Sequence, residues 1–555
     1  MNKQHWDIVI IGAGVSGIGA AVRLLQQGFT DFVILEKYDD LGGTWRDNTY
    51  PGCACDVPSA LYSYSFAQKP DWSRAFAGQA EILQYVHTTA AAQGVKPFIR
   101  YGVSVDDSRW SEEQQLWQLS TSQGAVTANK LISAVGYLHE PILPDLPGLK
   151  DFPGAVFHSS RWQHDCDLTG KRVAVIGTGA SAIQFIPEIQ PKVHTLSVFQ
   201  RTPQWVLPKP DHRIPAIERA FFNLPLTLNS WRKILYGALE IFGVGFRRPG
   251  LLKVVQALAE RHLKRNIKDP DLRAKLTPDY TLGCKRVLLS NHYYPAMSKL
   301  NVNLHATGVA EVRGDTLIGQ DGSEAQADVI ILGTGFHVSD VPIAGHVFGR
   351  DGRSLDQVWG GSPEAYRGTC VHNFPNFFLV LGPNLAIGNN SAFIVIESQL
   401  NYILGALQVM RRNSLQTLEV KAAVQQDYNQ VVQQALQTTV WNTGGCSSYY
   451  LDKNGKNSIG FPWSSNRMQA LLKHFDPSSY VALSQVDWQV GRQENAPEPA
   501  AASAETKKAT RKAPAARKAR STKTVVSDES RAEPLAEKPP RSRRKKAPQT
   551  EESNV

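Results

Sequence analysis

Cysteine is scarce and scattered. The six cysteines, Cys53, Cys55, Cys166, Cys284, Cys370 and Cys446, occur without a CxxC pair or a matched histidine pair, so the sequence suggests neither a zinc site nor a disulfide framework. It reads as a reduced, cytosolic protein. A long apolar run is missing as well. The longest stretch, Ile234 to Phe246, contains Glu240 and three glycines and falls short of the ~20 residues a spanning helix needs. The start, MNKQHWDIVIIGAG, enters a strand almost at once, without the charged, apolar and small-residue regions of a secretory signal.

Excess charge is absent from most of the chain. Formal charge is +10, but residues 491–555 hold 16 Lys and Arg against 9 Asp and Glu. The high pI therefore describes a tail and gives no reason to expect nucleic-acid binding by the folded part. Aromatic residues stop at Trp488, and Ala, Pro, Lys, Arg, Ser and Glu dominate from Glu494 onward. Such a segment buries too little apolar surface to offset ordering entropy and is predicted to be a disordered basic tail. Its basic runs, 507–523 and 541–546, suit weak contact with polyanions or an anionic membrane surface, or serve solubility alone. Over all 555 residues the chain is 42% hydrophobic and 20% charged, ordinary for globular chains, and it is too long for one core.

Two segments share one order. DIVII at residues 7–11 runs into Gly12-Ala13-Gly14-Val15-Ser16-Gly17, then a helical stretch from Ile18 to Gln27, then Phe32 to Leu35 ending in Glu36. RVAVI at 172–176 runs into Gly177-Thr178-Gly179-Ala180-Ser181-Ala182, a helix expected to stop near Pro187, and a strand at Leu196 to Phe199. Each is the strand, glycine turn, helix, strand of a dinucleotide-binding βαβ unit. Glu36, 24 residues after Gly12, is placed to take ribose hydroxyls, whereas the same count from Gly177 reaches Arg201, followed by Thr202. A cation there fits a 2′-phosphate, so the second nucleotide is read as NADP and the first as FAD. Between Pro208 and about Pro278 the pattern is helical and rich in Leu, Arg and Lys, as in Gly250 to Lys264; strands return at Val302 to Leu304 and at DVIIL, 328–332, which leads into Gly333-Thr334-Gly335-Phe336.

Electrons from a nicotinamide through a flavin need a destination. A disulfide reductase would pass them to a cysteine pair, for which Cys53-Ala54-Cys55 is the nearest candidate. One intervening residue strains such a bridge, and two structural cysteines are the plainer reading. Before the second unit stands FPGAVFHSSRW, 152–162, an FxGxxxHxxxW pattern. It resembles the fingerprint of type I Baeyer-Villiger monooxygenases, relatives of the flavin-containing monooxygenases, whose version usually ends in Tyr or Phe. The resemblance extends over roughly residues 5–470 through GAGVSG, GGTWRDNTYPGCACD, GTGASA, QRTPQW, GCKR and ILGTGF. Gln163 and Tyr449 depart from the family pattern.

This resemblance implies an α/β fold of two Rossmann-like dinucleotide-binding domains, to which the residue pattern itself adds the helical insertion and the disordered basic tail. FAD-binding parts are expected at 1–145 and 341–490, NADP-binding parts at 146–210 and 281–340, the insertion at 211–280 and the tail at 491–555. It implies FAD- and NADPH-dependent insertion of one oxygen atom beside a ketone carbonyl through a C4a-peroxyflavin, with O2 and a ketone as reaction partners. Gly43, Thr44, Trp45, Ala54, Cys55, Asp56 and Tyr62 are then expected around the flavin, with Lys37 beside Glu36. Thr178, Gly179, Ala180, Ser181, Gln184, Arg201, Thr202 and Lys285 are expected around NADP. Arg286 matches the family's catalytic arginine and Asp56 its partner, although a Lys285-Arg286 step alone also reads as a solvated surface and Asp56 as a helix cap. His158 is expected to order the linker between domains. Oxidation of N or S atoms, and disulfide reduction, remain the alternative activities.

Overall fold

The computed structural model describes residues 3–484; the predicted tail, 491–555, lies outside them. Two sheets organise the molecule. The larger has eight strands. In it Phe32–Leu35, His5–Ile11 and Gly124–Ser133 lie side by side and parallel. Ile99–Arg100 extends one side, and an antiparallel pair, Leu116–Thr121 and Val105–Ser111, extends the other. Phe377–Leu379, from late in the chain, returns to pair with Gly124–Ser133. The smaller sheet is wholly parallel, in the order Val302–His305, Thr195–Phe199, Arg172–Ile176, Val329–Leu332, Ala155–His158. Central strands such as DIVII and VIIL are covered on both faces, which is why they read as continuous β-branched runs rather than alternating ones.

Both predicted βαβ units are present. The first helix, Val15–Gln26, starts at the glycine turn, three residues earlier than expected. The second, Ala182–Ile189, ends two residues beyond Pro187, near the expected stop, with the proline inside its last turn. In so short a helix the proline removes only one N–H that a carbonyl four residues back would have accepted. The 211–280 segment forms the helices Ala216–Phe222, Pro225–Arg247, Leu252–Asn266 and Pro270–Lys275.

Two further expectations change. Among the described residues one helix, Ala392–Arg412, is long and apolar enough to cross a membrane by length and composition. It lies elsewhere than the Ile234 to Phe246 run, and its Phe393, Ile396, Ile403 and Leu407 are fully buried under the large sheet's core. The absence of a disulfide is also overturned, since Cys284 and Cys446, 162 positions apart, form one. Nothing local marks such a pair, because only the folded chain brings the two segments together.

Candidate active site

The carboxyl ends of both sheets open onto one cavity of about 1000 Å3, the position where parallel α/β sheets hold ligands. On the first unit, Gly12 adopts a φ of +99°, and a Cβ on Gly17 would stand 1.9 Å from the Gly12 carbonyl oxygen. Strand and helix therefore meet too closely for any side chain. Gly14 precedes the helix in an extended conformation and supplies no side-chain cap, leaving the N–H groups at Val15 and Ser16 unmet by protein side chains. Glu36 ends its strand nearly buried; its Oε2 accepts from Ala13 N–H at 2.8 Å and its Oε1 from Arg46 at 3.0 Å. Gly43 lies against Gly14, so the turn continues directly into Thr44 and Trp45 on the cavity wall.

Trp45 Nε1 donates to Tyr62 Oη at 3.0 Å, fixing two aromatic walls of the cavity. Ser133 Oγ is buried in the same wall with no hydrogen-bond partner, as expected of a group awaiting a ligand. Lys37 does not join them: its Nζ pairs with Glu140 at 2.5 Å.

The second unit repeats the geometry. Gly177 has φ +103°, and its Cβ would stand 2.4 Å from the Gly333 carbonyl oxygen; Gly179 faces open space. Thr178, Ala180 and Ser181 line the cavity beside them. Gln184 also lines the cavity and turns its amide to the 53–56 loop, donating to the Ala54 carbonyl at 2.9 Å and accepting from Tyr50 Oη at 2.9 Å, so it ties that loop to the second unit's helix. Arg201 and Thr202 leave the end of the Thr195–Phe199 strand and line the cavity with Lys285. Burial first, and the charge of Arg201 second, push the Lys285 ammonium below its ordinary range. Among the described residues neither cation forms an ion pair with a carboxylate, so both can meet an anion held in the cavity.

Arg286 lies where the two halves meet. Its Nε and Nη2 donate to Asp56 Oδ2 and Oδ1, both at 2.9 Å, in a bidentate fork across 230 residues. Asp56 is thus no helix cap. The carboxylate raises the guanidinium well above its usual pKa, against the opposing effect of burial. Arg286 is surrounded by protein yet remains 41% accessible, because it opens onto the cavity.

Cys53 and Cys55, in the loop before Asp56, are free thiols. Burial pushes Cys53 up to about 11 and Cys55 higher still, so neither is a thiolate near neutral pH. His158, also buried, accepts from Ser160 N–H at 3.1 Å through Nδ1 and is pushed down to about 4. Burial therefore favours its neutral form near neutral pH.

Sequence reasoning missed several contributors. Tyr137 follows the carboxyl end of the Gly124–Ser133 strand, a position that could have marked it; Tyr450 adjoins Tyr449, with ring centroids 4.7 Å apart, and all three line the cavity. Lys209 holds the Cys55 carbonyl at 3.1 Å, fixing the backbone beside Asp56, and no local signal announces it. The disulfide joins the segment before Lys285 and Arg286 to the one before Tyr449, so it fastens two cavity walls together.

Glycine cradles, an uncapped helix start, an unpartnered Ser133 and paired cations fit FAD on the first unit and NADP on the second. Comparison with known proteins agrees. Residues 9–224 match a family described as pyridine nucleotide-disulphide oxidoreductase. A Baeyer-Villiger monooxygenase of Streptomyces coelicolor is 49% identical over 88% of this chain and 95% of that protein. One of Pseudomonas aeruginosa is 48% identical over 86% and 91%. Among solved structures, an oxidized steroid monooxygenase bound to NADP superposes with a TM-score of 0.78 at 26% identity, covering 86% of this chain and all of that one. A cyclohexanone monooxygenase from Rhodococcus sp. Phi1 bound to NADP+ gives the same score and identity over 87% and all of that chain. The chain belongs to the Baeyer-Villiger monooxygenases, enzymes that use FAD and NADPH.

Proposed function

We propose that this enzyme takes a small-molecule ketone and O2, inserts one oxygen atom beside the carbonyl to give an ester or lactone, and does so with Arg286 and Asp56 as its catalytic residues. The observation that carries this is the bidentate Arg286–Asp56 fork set in the wall of a cavity lined by residues from the carboxyl ends of both sheets. Bound FAD, reduced by NADPH, supplies the activated oxygen.

The chain's own residues do the rest. Gly12, Gly14, Val15, Ser16 and Gly17 receive the FAD pyrophosphate on backbone N–H groups, and Glu36 takes the ribose. Gly43, Thr44, Trp45, Ala54, Cys55 and Tyr62 wall the ring system. Gly177 to Ser181 receive the NADPH pyrophosphate, while Arg201, Thr202 and Lys285 take its 2′-phosphate; Gln184 braces the loop that carries Asp56. Of the five guanidinium N–H donors of Arg286, two are committed to Asp56 and three remain for the cavity. Those three stabilise the negative charge that grows on the ketone oxygen as the new C–O bond forms. Asp56 holds the fork in place and offsets its charge. Tyr62, Tyr137 and Tyr450 keep that wall dry, which strengthens every charge interaction in it.

We place the reaction in the cytoplasm, where NADPH is regenerated. The test is to supply NADPH, isotopically labelled O2 and a panel of ketones to the flavin-loaded protein. One labelled oxygen in an ester product is the expected result; NADPH oxidation with peroxide release and no ester across the panel removes the proposal. Thioether oxidation alone would favour the heteroatom reading.

A further inference from the structure

The helical insertion faces solvent with side chains that do not suit it. Sixteen large apolar side chains stand exposed among the described residues, and ten of them fall between Ile217 and Leu258. Ile217, Leu226, Ile241 and Val254 are 76–81% accessible. Scattered apolar exposure is normal, but this concentration in one short segment is what a docking face looks like. The spacing makes faces of them. On Pro225–Arg247, Leu226, Ile234 and Ile241 recur at helical periodicity; around Leu252–Asn266, Leu251, Val254 and Leu258 follow the same rule and lead into exposed Arg261 and Arg265.

Charge identifies the occupant. Residues 211–280 hold 13 Lys and Arg against 7 Asp and Glu, so this face carries more positive charge than the remainder of the body. Lys233, Arg248, Lys253 and Arg261 are exposed and make no ion pair among the described residues. A second copy of the chain would bring like charge against like charge over the apolar patch. An anionic lipid surface accepts the apolar side chains and neutralises the cations together, as interfacial amphipathic helices require.

The opposite face of Pro225–Arg247 points to a use. Its Leu235, Tyr236 and Leu239 pack on the main core, and the Leu239 carbonyl accepts from Asn389 Nδ2 at 2.8 Å. The next residue, Asn390, lines the active cavity. One helix therefore joins the exposed apolar face to the cavity wall.

We propose that the outer face of the insertion, centred on Ile234, Ile241 and Val254, docks the enzyme on an anionic membrane surface. This places the cavity beside the phase in which apolar ketones concentrate. The basic tail also attracts such surfaces, and salt separates the two: at about 0.5 M salt charge attraction reaches only ~4 Å, whereas apolar contact persists.

The experiment is co-sedimentation of the full chain with phosphatidylcholine vesicles, with and without phosphatidylglycerol, at low and high salt. Wild type is expected to bind the anionic vesicles and to keep a measurable part of that binding in high salt. A triple variant, Ile234→Glu, Ile241→Glu and Val254→Glu, is expected to bind at least about tenfold more weakly and to lose the salt-resistant part. A second variant, Lys233→Glu, Lys253→Glu and Arg261→Glu, tests the same face should the first fail to fold, and is expected to weaken the low-salt binding to the part that the tail alone supports. Flavin content and NADPH oxidation, read without vesicles, are expected to stay unchanged in both. The proposal is overturned if wild type does not bind, if folded variants bind as wild type does, or if the apolar variant instead converts a vesicle-free dimer to monomer. The last outcome would assign the face to a second copy.

Discussion

Replacing Arg286 by alanine separates a catalytic role from a structural one. The fork with Asp56 is partly open to the cavity, with side chains 41% and 28% accessible, and ion pairs so exposed contribute only ~0.2–1 kcal/mol to stability. The variant should therefore fold, retain FAD and melt within about 2 °C of wild type. Its loss of ester formation should be far larger, because removing one preorganised donor to a developing oxyanion costs ~2.7–4 kcal/mol, or ~100 to 1000-fold in kcat. Arg286→Lys should fall between, since an ammonium restores charge but cannot engage Asp56 in a fork and still present donors to the cavity. Asp56 holds the guanidinium pKa above its ordinary value, so no alkaline loss of activity should trace to Arg286. The assay pairs chromatographic measurement of the ester with NADPH consumption, flavin absorbance and a thermal melt. An Arg286→Ala protein that makes ester at more than about a tenth of the wild-type rate would refute the reasoning, whatever its melting temperature.

The paired cations predict cofactor choice. Arg201→Ala or Lys285→Ala should raise KM for NADPH about 10 to 100-fold while leaving NADH nearly untouched, a charged hydrogen bond being worth ~1.5–3 kcal/mol; equal effects on both nucleotides would remove the 2′-phosphate from that position. Gly17→Ala forces a Cβ to within 1.9 Å of the Gly12 carbonyl; crowding of this kind costs ~1–3 kcal/mol or more, and the purified variant should lose its yellow colour. His158 is held down to about 4 by burial, so the folded state stays neutral where the unfolded chain takes up a proton. Stability should be lost as pH falls from ~6.5 to ~4, by about 3 kcal/mol in all. Thermal melts at pH 7 and 5 should show wild type losing more than His158→Asn, and equal losses would contradict the assignment. Cys446→Ser opens a cross-link spanning 162 positions, a closure worth up to about 5 kcal/mol on chain-entropy grounds; its melting temperature should fall, and an unchanged one would show that the bond adds nothing to the folded state.

What could be read from the sequence was what neighbouring residues decide. A glycine that must let a helix pass over a strand, and an acid or a cation at the end of the next strand, lie within about thirty residues of each other. Gly12 to Glu36 and Gly177 to Arg201 therefore announced two nucleotide units before any coordinates. The meeting of those units is different. Asp56 and Arg286 lie 230 residues apart, and the residues alone left each with an ordinary surface reading; only family resemblance joined them. Lys209 against the Cys55 carbonyl and Cys284 against Cys446 had no such help. Pro187 was legible for a local reason, since a proline ends a helix within a turn of itself and the helix stops at Ile189.

The two longest helices among the described residues show why hydropathy alone misleads about placement. Ala392–Arg412 has the composition of a membrane span and lies two-thirds buried in the core, because it is apolar almost all round and other elements cover it. Pro225–Arg247 is less apolar, yet it leaves Leu226, Ile234 and Ile241 in solvent. The difference is in what accompanies the apolar residues. The core helix sets its one carboxylate, Glu397, against the Ser65 N–H, whereas a surface that meets lipid keeps cations beside its apolar stripe. Lys233, Arg248 and Lys253 stand where that requirement puts them, so the same physics that buries one helix argues for a membrane face on the other.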